Sequence, residues 1–178
     1  MERVFEGTSS RENAVAHDKA THSDEVEKLV EIIKDIKVAM LTTHVPDGLE
    51  SRPLSVTEVG SDADVWFFTT ASSDVAKQVS KDQEANAAFS NDKCWVSLSG
   101  KAKLVTDVAK KKELWNSAVA AFSSHEPESP ELVLIQLESD SAQYWENPGG
   151  VLSLATSWVK GKVTGEPARP GDSATVDL

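Results

Sequence analysis

The sequence predicts a mostly antiparallel β-barrel flanked by helices. Short strand-like runs follow one another in hairpin order, with turn residues between them. Helical periodicity is confined to segments at the ends of the chain and between the strands. The regular βαβα alternation of a doubly wound sheet is absent. A length of 178 residues is that of one domain with a single core.

The first predicted element is an amphipathic helix over Ser23–Ile36. Ser23 is a capping residue, acidic residues follow it in the first turn, and apolar side chains recur at helical spacing. Residues 1–22 are polar and show no periodicity. We therefore expect a flexible arm over residues 1–22 and one domain over residues 23–178.

A hairpin and a third strand are predicted next. Pro46-Asp47-Gly48 and Gly60–Asp64 are typical of turns, because glycine tolerates the positive φ that many turns need. The predicted strands are Lys37–Thr43, Leu49–Val59 and Val65–Thr70. Pro53 interrupts the second of them and cannot donate to a ladder. It is expected at an edge, at a bulge or where strands diverge.

The second half of the chain continues this alternation. Gly100 lies within a strand-like run, a position that commonly marks a bend or bulge, and Asp107 is placed to cap a helix. The predicted elements are the helix Ser73–Lys81, the strand Ala85–Ser90, a long strand pair or one bent strand over Cys94–Thr106, one helix from Asp107 through Trp115 towards Phe122, the strand Leu132–Leu137 extended or followed by Ala142–Trp145, a helix Val151–Val159 and a tail Thr175–Leu178.

Composition excludes several classes of function. The net charge is −11 and the lysines are interspersed with acids, which argues against a nucleic-acid surface. Cys94 is the only cysteine and the four histidines show no ligand spacing, so no metal site is predicted. No stretch reaches the roughly 18 apolar residues of a membrane span. The N-terminal residues lack an apolar signal core, and a cytoplasmic location is expected.

Arg52 is the only arginine between Glu12 and Ala168, and it lies within a predicted strand. Its planar guanidinium suits bidentate recognition of a phosphate or a carboxylate. A run of hydroxyl residues between positions 69 and 73 follows the next strand. The two features could converge on one phosphate. The alternative is a solvated arginine on a surface strand, and the residues alone leave both open.

Several short motifs occur in a characteristic order along the chain. They are Met40-Leu41-Thr42-Thr43, Asp47-Gly48, Ser51-Arg52-Pro53-Leu54, Trp66-Phe67-Phe68-Thr69-Thr70, Ser97-Leu98-Ser99-Gly100-Lys101-Ala102, Glu113-Leu114-Trp115 and Ala142-Gln143-Tyr144-Trp145. From Ser23 onward the chain resembles the general-stress-protein branch of the pyridoxamine 5'-phosphate oxidase-like superfamily. That resemblance implies a split β-barrel that binds flavin mononucleotide (FMN) at a homodimer interface.

The resemblance also assigns site residues. Arg52 would contact the FMN phosphate, with the hydroxyls of Thr69, Thr70 and Ser73, and the backbone near Pro53 and Phe67 would line the flavin ring. Trp145 would either cover the ring from the partner chain or pack in the interface. The expected cofactor-binding residues are Arg52, Pro53, Leu54, Phe67, Phe68, Thr69, Thr70, Ser73, Lys77 and Trp145.

One position departs from the family pattern. Where the family commonly has a lysine as a second phosphate cation, this chain has Val75. Lys77 lies two residues further on, about 200° around a helix. Either Lys77 reaches the phosphate from a shifted register, or Arg52 and the hydroxyls hold it alone.

Three functions remain open. The first is a flavin-dependent oxidoreductase of unknown substrate, with a reduced nicotinamide as a donor to be tested. The second is a non-catalytic FMN-binding sensor or store. The third is a relative that holds a deazaflavin or haem on the same barrel, since a fold does not fix a function. No general acid, base or nucleophile stands out, which suits both of the first two.

Overall fold

A computed structural model describes residues 23–146 and 173–178. The elements are α1 (residues 23–33), β1 (Val38–Val45), β2 (Gly48–Val59), β3 (Val65–Thr70), α2 (Asp74–Lys81), β4 (Glu84–Ser90), β5 (Cys94–Val105), α3 (Val108–Leu114), α4 (Ser117–Phe122), β6 (Leu132–Glu146) and β7 (Ser173–Asp177).

The strands form a closed antiparallel barrel, as the sequence predicts. Their order is β3-β2-β1-β4-β5-β6, and a further pairing between β3 and β6 closes the ring of six. Strand β6 is long enough to pair with two different strands along one edge. Its first half pairs with β3, and its second half pairs with β7. The tail predicted at Thr175–Leu178 is therefore a strand at the outer edge of β6, as far as Asp177.

The core follows largely from the alternation of buried and outward-facing side chains along strands such as β1 and β5. In β1, for example, Ala39, Leu41 and Thr43 are buried, whereas Val38 and Met40 face outward. Helices α1 and α2 add their apolar faces to this interior. The largest fully buried side chains are Phe67, Lys111, Leu29, Ile33, Leu41, Leu98, Leu134, Ile135, Leu137, Val65, Val79 and Val96.

The barrel is split between β2 and β3. These strands pair only where Val56–Val59 of β2 meets Val65–Phe67 of β3, with an irregularity in the register between Val56 and Glu58. Ahead of that point β2 stays paired with β1, and Pro53 is opposite Met40. Pro53 therefore lies where two strands diverge, which is one of the positions expected for it.

Of two further predictions, the one for Gly100 is confirmed and the one for the helix after Asp107 is wrong. Gly100 marks the expected irregularity, because the β5–β6 register shifts there and a Cβ would overlap the backbone of Glu138. The single helix from Asp107 towards Phe122 is wrong. Asp107 does cap α3, but the helix ends at Trp115, where the backbone becomes extended, and Asn116 caps a separate helix α4.

Some predictions fall on residues that the structure does not describe. The arm over residues 1–22 and the helix Val151–Val159 lie outside the described ranges. Among the described residues, no helix is long and apolar enough to cross a membrane.

Candidate functional site

A cavity of about 770 Å³ lies in the split between β2 and β3. Its size is within the range of small-molecule and cofactor pockets. The walls come mainly from β2, β3 and α4, with the residues that flank α4 and those at the starts of β1 and β6. The lining residues are Lys37, Val38, Pro53, Leu54, Ser55, Val56, Thr57, Phe68, Thr69, Thr70, Asn116, Ala118, Val119, Phe122, Ser123 and Leu132.

Helix α4 forms one wall of this cavity. Asn116 fixes its start, because its Oδ1 accepts hydrogen bonds from the backbone N–H groups of Ala118 and Val119 at 3.0 and 3.1 Å. The helix sequence is mostly apolar, yet none of its residues is buried, and Phe122 is 90% exposed. The apolar side chains of α4 are therefore free to contact a bound molecule.

Arg52 lies on the side of β2 that faces helix α2. Its Nη1 donates to Thr43 Oγ1 and its Nη2 donates to Gln78 Oε1, both at 2.8 Å. Glu50 Oε2 lies 3.2 Å from the same Nη2. The Arg52 side chain is only 18% exposed, and Thr43 is buried. Arg52 is thus a fixed, partly buried cation and not a solvated surface arginine.

The predicted hydroxyl cluster lies at the start of α2. Thr69 Oγ1 and Ser73 Oγ are 3.0 Å apart, and Ser73 Oγ accepts from the backbone N–H of Ala76 as the helix cap. Arg52 meets the same helix at Gln78, five residues after Ser73, or roughly 7.5 Å along the helix axis. The hydroxyls therefore lie at the start of α2, whereas Arg52 contacts the helix further along its axis, and Thr69 and Thr70 also line the cavity.

Four other residues of interest lie elsewhere. Phe67 is fully buried in the core, so only its backbone can meet a ligand. Val75 is 4% exposed and belongs to the same core. Lys77 is on the exposed face of α2, with its Nζ 3.2 Å from Asp74 Oδ1. Trp145 pairs with Trp95 on the outer face of the barrel and does not line the cavity.

The aromatic residues that flank Phe67 are covered by helix α3 and the residue after it. The rings of Phe68 and Trp115 meet edge to face with centroids 5.8 Å apart. Lys110 Nζ lies 4.9 Å from the centre of the Trp66 ring. A hydrogen bond with Glu113 raises the pKa of Lys110.

Sequence reasoning missed the cavity wall at α4 and the partners of Arg52. The only signal for α4 was Asn116, an excellent capping residue placed within an otherwise helical pattern. The partners of Arg52 (Thr43, Gln78 and Glu50) come from β1, α2 and β2, and nothing in the local sequence connects them.

Solved structures of related proteins share this architecture. A candidate general stress protein 26 from Jannaschia is 24% identical, with a TM-score of 0.67 over 88% of this chain and 99% of that one. General stress protein 26 from Bacillus anthracis is 21% identical, with a TM-score of 0.60 over 67% and 92%. The general stress FMN/FAD binding protein from Xanthomonas citri is 28% identical, with a TM-score of 0.60 over 75% and 93%.

No curated protein matches the chain. The family described as pyridoxamine 5'-phosphate oxidase like matches residues 24–168 of the chain. That range holds the whole barrel and the cavity at its split. The chain therefore belongs to the pyridoxamine 5'-phosphate oxidase-like family.

Proposed function

We propose that this protein binds FMN in the split of its barrel, with the flavin ring in the cavity and the phosphate directed towards Arg52. The observation that carries the proposal is the position of the chain's one barrel arginine. It is held beside α2, and the next two residues of β2, Pro53 and Leu54, line a cavity of cofactor size that the Arg52 side chain does not itself line. The similarity to an FMN/FAD binding protein from Xanthomonas citri supports it.

The cavity suits a planar ring with polar edges. Pro53, Leu54 and Phe68 supply apolar surface, and α4 adds more. Between β2 and β3 the ladder stops short of these residues, so strand backbone near them can bond the polar edge of the ring. Phe67 contributes through its backbone only, since its side chain is in the core.

The phosphate end combines one cation with hydroxyl groups. Arg52 provides the charge, while Thr69, Thr70 and Ser73 provide hydroxyls at the start of α2. Lys77 is the weaker candidate for a second cation, because it extends into solvent and pairs with Asp74. Of the two explanations for Val75, the placement of Lys77 favours the one in which Arg52 and the hydroxyls hold the phosphate.

The chemistry would be that of the cofactor, which transfers electrons or hydride when bound. Lys37 is the only ionisable residue among those lining the described cavity. This suits an oxidoreductase whose flavin reacts without protein acid–base groups. It equally suits a store or sensor without turnover. Steady-state oxidation of a reduced nicotinamide by the FMN-loaded protein decides between the two.

We further propose that the protein is a homodimer. Eleven outward-facing residues of β1, β2, β4, β5 and β6 form an uncharged surface, which we call the neutral face: Met40, Thr42, Ser51, Pro53, Asn86, Ala88, Trp95, Ser97, Ser99, Gln143 and Trp145. In a chain with 26% charged residues, such a patch is typical of an interface core. Twofold dimers are the commonest oligomers.

The neutral face meets the cavity at Pro53, which belongs to both. A second copy on this face would therefore border the cavity and exclude water from it. Trp145 of that second copy is the residue proposed to cover the ring. Trp145 and Trp95 are both more than one-third exposed in the single chain, so their rings are available for such packing.

Titration with FMN and riboflavin tests the cofactor assignment. The wild-type protein should quench the fluorescence of both flavins and bind FMN more tightly. Arg52→Ala should weaken FMN binding roughly ten- to a hundredfold while leaving riboflavin unchanged, since a charge-assisted contact is worth about 1.5–3 kcal/mol. Arg52→Lys should recover part of the loss. An Arg52→Ala variant with full FMN affinity would refute the phosphate assignment.

A further inference from the structure

Glu50 is paired with the Nη2 end of the Arg52 guanidinium. Its Oε2 lies 3.2 Å from Arg52 Nη2 and accepts a hydrogen bond from Gln78 Nε2 at 2.8 Å. The other contacts of the guanidinium are with neutral oxygens, those of Thr43 and Gln78. In the described part of the chain, Glu50 is the only carboxylate paired with Arg52.

A carboxylate and a phosphate make the same demands on a guanidinium. A carboxylate presents two anionic oxygens and a phosphate presents three, and either group can accept two N–H hydrogen bonds from one guanidinium. A phosphate that approaches Arg52 therefore has to share the guanidinium with Glu50 or displace it. Like charges at such short separation repel strongly in a partly buried site.

Glu50 is the member of this pair that can move. Its side chain is 53% exposed, whereas that of Arg52 is 18% exposed and is tied to buried Thr43. Rotation of Glu50 into water breaks its contacts with Arg52 and with Gln78 Nε2, leaves the carboxylate solvated, and leaves Arg52 held by Thr43 and Gln78 Oε1. The arrangement is therefore a fixed cation with a displaceable internal anion.

We propose that Glu50 competes with the flavin phosphate for Arg52 and so sets how strongly the protein prefers FMN to riboflavin. This inference rests on the proposed function, because it concerns the phosphate end of the same site. Glu50 acts here through Arg52, as a residue that determines selectivity. Its charge lowers the affinity for a phosphorylated flavin and leaves the affinity for an unphosphorylated one unchanged.

The test is Glu50→Gln, which removes the charge and keeps the shape and an acceptor oxygen. The matched control is Glu58→Gln on the same strand, where the carboxylate faces Lys110 at 3.8 Å and not Arg52. Fluorescence titrations with FMN and riboflavin are run on both variants and on the wild type. Glu50→Gln should bind FMN about three- to tenfold more tightly, with riboflavin unchanged and the control unchanged for both ligands.

Each other outcome overturns the inference. Unchanged FMN affinity in Glu50→Gln means that Glu50 does not compete, and weaker FMN binding means that it positions Arg52 for the phosphate. An equal gain for FMN and riboflavin places the effect away from the phosphate. Arg52→Ala in the same series separates this inference from the proposed function. If Arg52→Ala weakens FMN binding and Glu50→Gln does not tighten it, only the proposed competition is wrong. If Arg52→Ala also leaves FMN affinity unchanged, the phosphate site itself is elsewhere.

Discussion

The Nη2 group of Arg52 donates to Gln78 Oε1 across 2.8 Å and thereby joins strand β2 to helix α2. Gln78 also accepts from Thr43 Oγ1 at 2.7 Å and donates to Glu50 Oε2 at 2.8 Å. One amide thus satisfies a buried hydroxyl, a guanidinium and a carboxylate. The cation proposed to bind phosphate is held in place before any ligand arrives, which lowers the cost of ordering it on binding.

Removing this amide should destabilise the fold. In Gln78→Leu, the hydroxyl of Thr43 and the guanidinium of Arg52 both lose a partner in a partly buried site, at an expected cost of about 1–3 kcal/mol. Urea unfolding measures the loss, and Gln83→Leu, at an exposed glutamine after α2, is the matched control. Equal midpoints for the two variants would show that the network adds nothing to stability.

Val75→Lys should destabilise the fold and should not tighten FMN binding. Family resemblance suggests Val75→Lys as a way to restore a phosphate cation, but Val75 is 4% exposed within the core. Burying an unpaired ammonium there should cost on the order of 3 kcal/mol or more.

The reciprocal change on the same helix is the control for Val75→Lys. Lys77→Val alters an exposed side chain, so its free energy of unfolding, measured in urea, should stay within about 0.5 kcal/mol of the wild type. If Val75→Lys unfolds like the wild type and binds FMN more tightly, the side chain faces the ligand and the helix is oriented differently.

Phe122→Ala should weaken FMN and riboflavin equally. Phe122 is 90% exposed at the cavity wall, so its removal takes apolar surface from the ring end of the site and leaves the phosphate end intact. We expect a loss of roughly five- to twentyfold for both ligands, with no change in stability. Val108→Ala, an exposed apolar residue that does not line the cavity, should change neither affinity. A loss confined to FMN would place the ring elsewhere.

A charge at the centre of the neutral face should prevent dimer formation. Ala88 is exposed there and pairs with Met40 and Ser97 on either side. Ala88→Glu would bury a carboxylate in each half of the interface, and sedimentation velocity should show a monomer. Ala109→Glu, at an exposed position on α3, should remain a dimer. A wild-type protein that sediments as a monomer at micromolar concentration would contradict the assembly itself.

The hairpins β1-β2, β2-β3 and β4-β5 could be predicted from the sequence, because hairpin turns and period-two patterns are local. The pairing of β1 with β4, more than 40 residues apart, could not. Gly100 and Asp107 also marked a bulge and a helix start correctly. The closure of the ring could not be predicted, since β3 pairs with β6 more than 60 residues away. The break between α3 and α4 was hidden by an apolar pattern that runs through Trp115, and only the cap at Asn116 interrupts it.

The candidate site could be predicted only where it depends on local sequence. Residues on the strand edges, such as Pro53 and Thr69, follow from the local pattern and from family motifs. The environment of Arg52 depends on how α2 packs against β1 and β2, which no short motif encodes. The burial of Val75 is likewise a property of the packed helix, and counting along the motif could not reveal it.

The most direct test of the central claim is a crystal structure of the protein with FMN bound. The isoalloxazine ring should lie in the split between β2 and β3, against Pro53 and α4. Phosphate oxygens should lie within hydrogen-bond distance of Arg52, with Glu50 turned away into solvent. A flavin bound outside the split, or a phosphate left in solvent while Arg52 keeps its contact with Glu50, would contradict that claim.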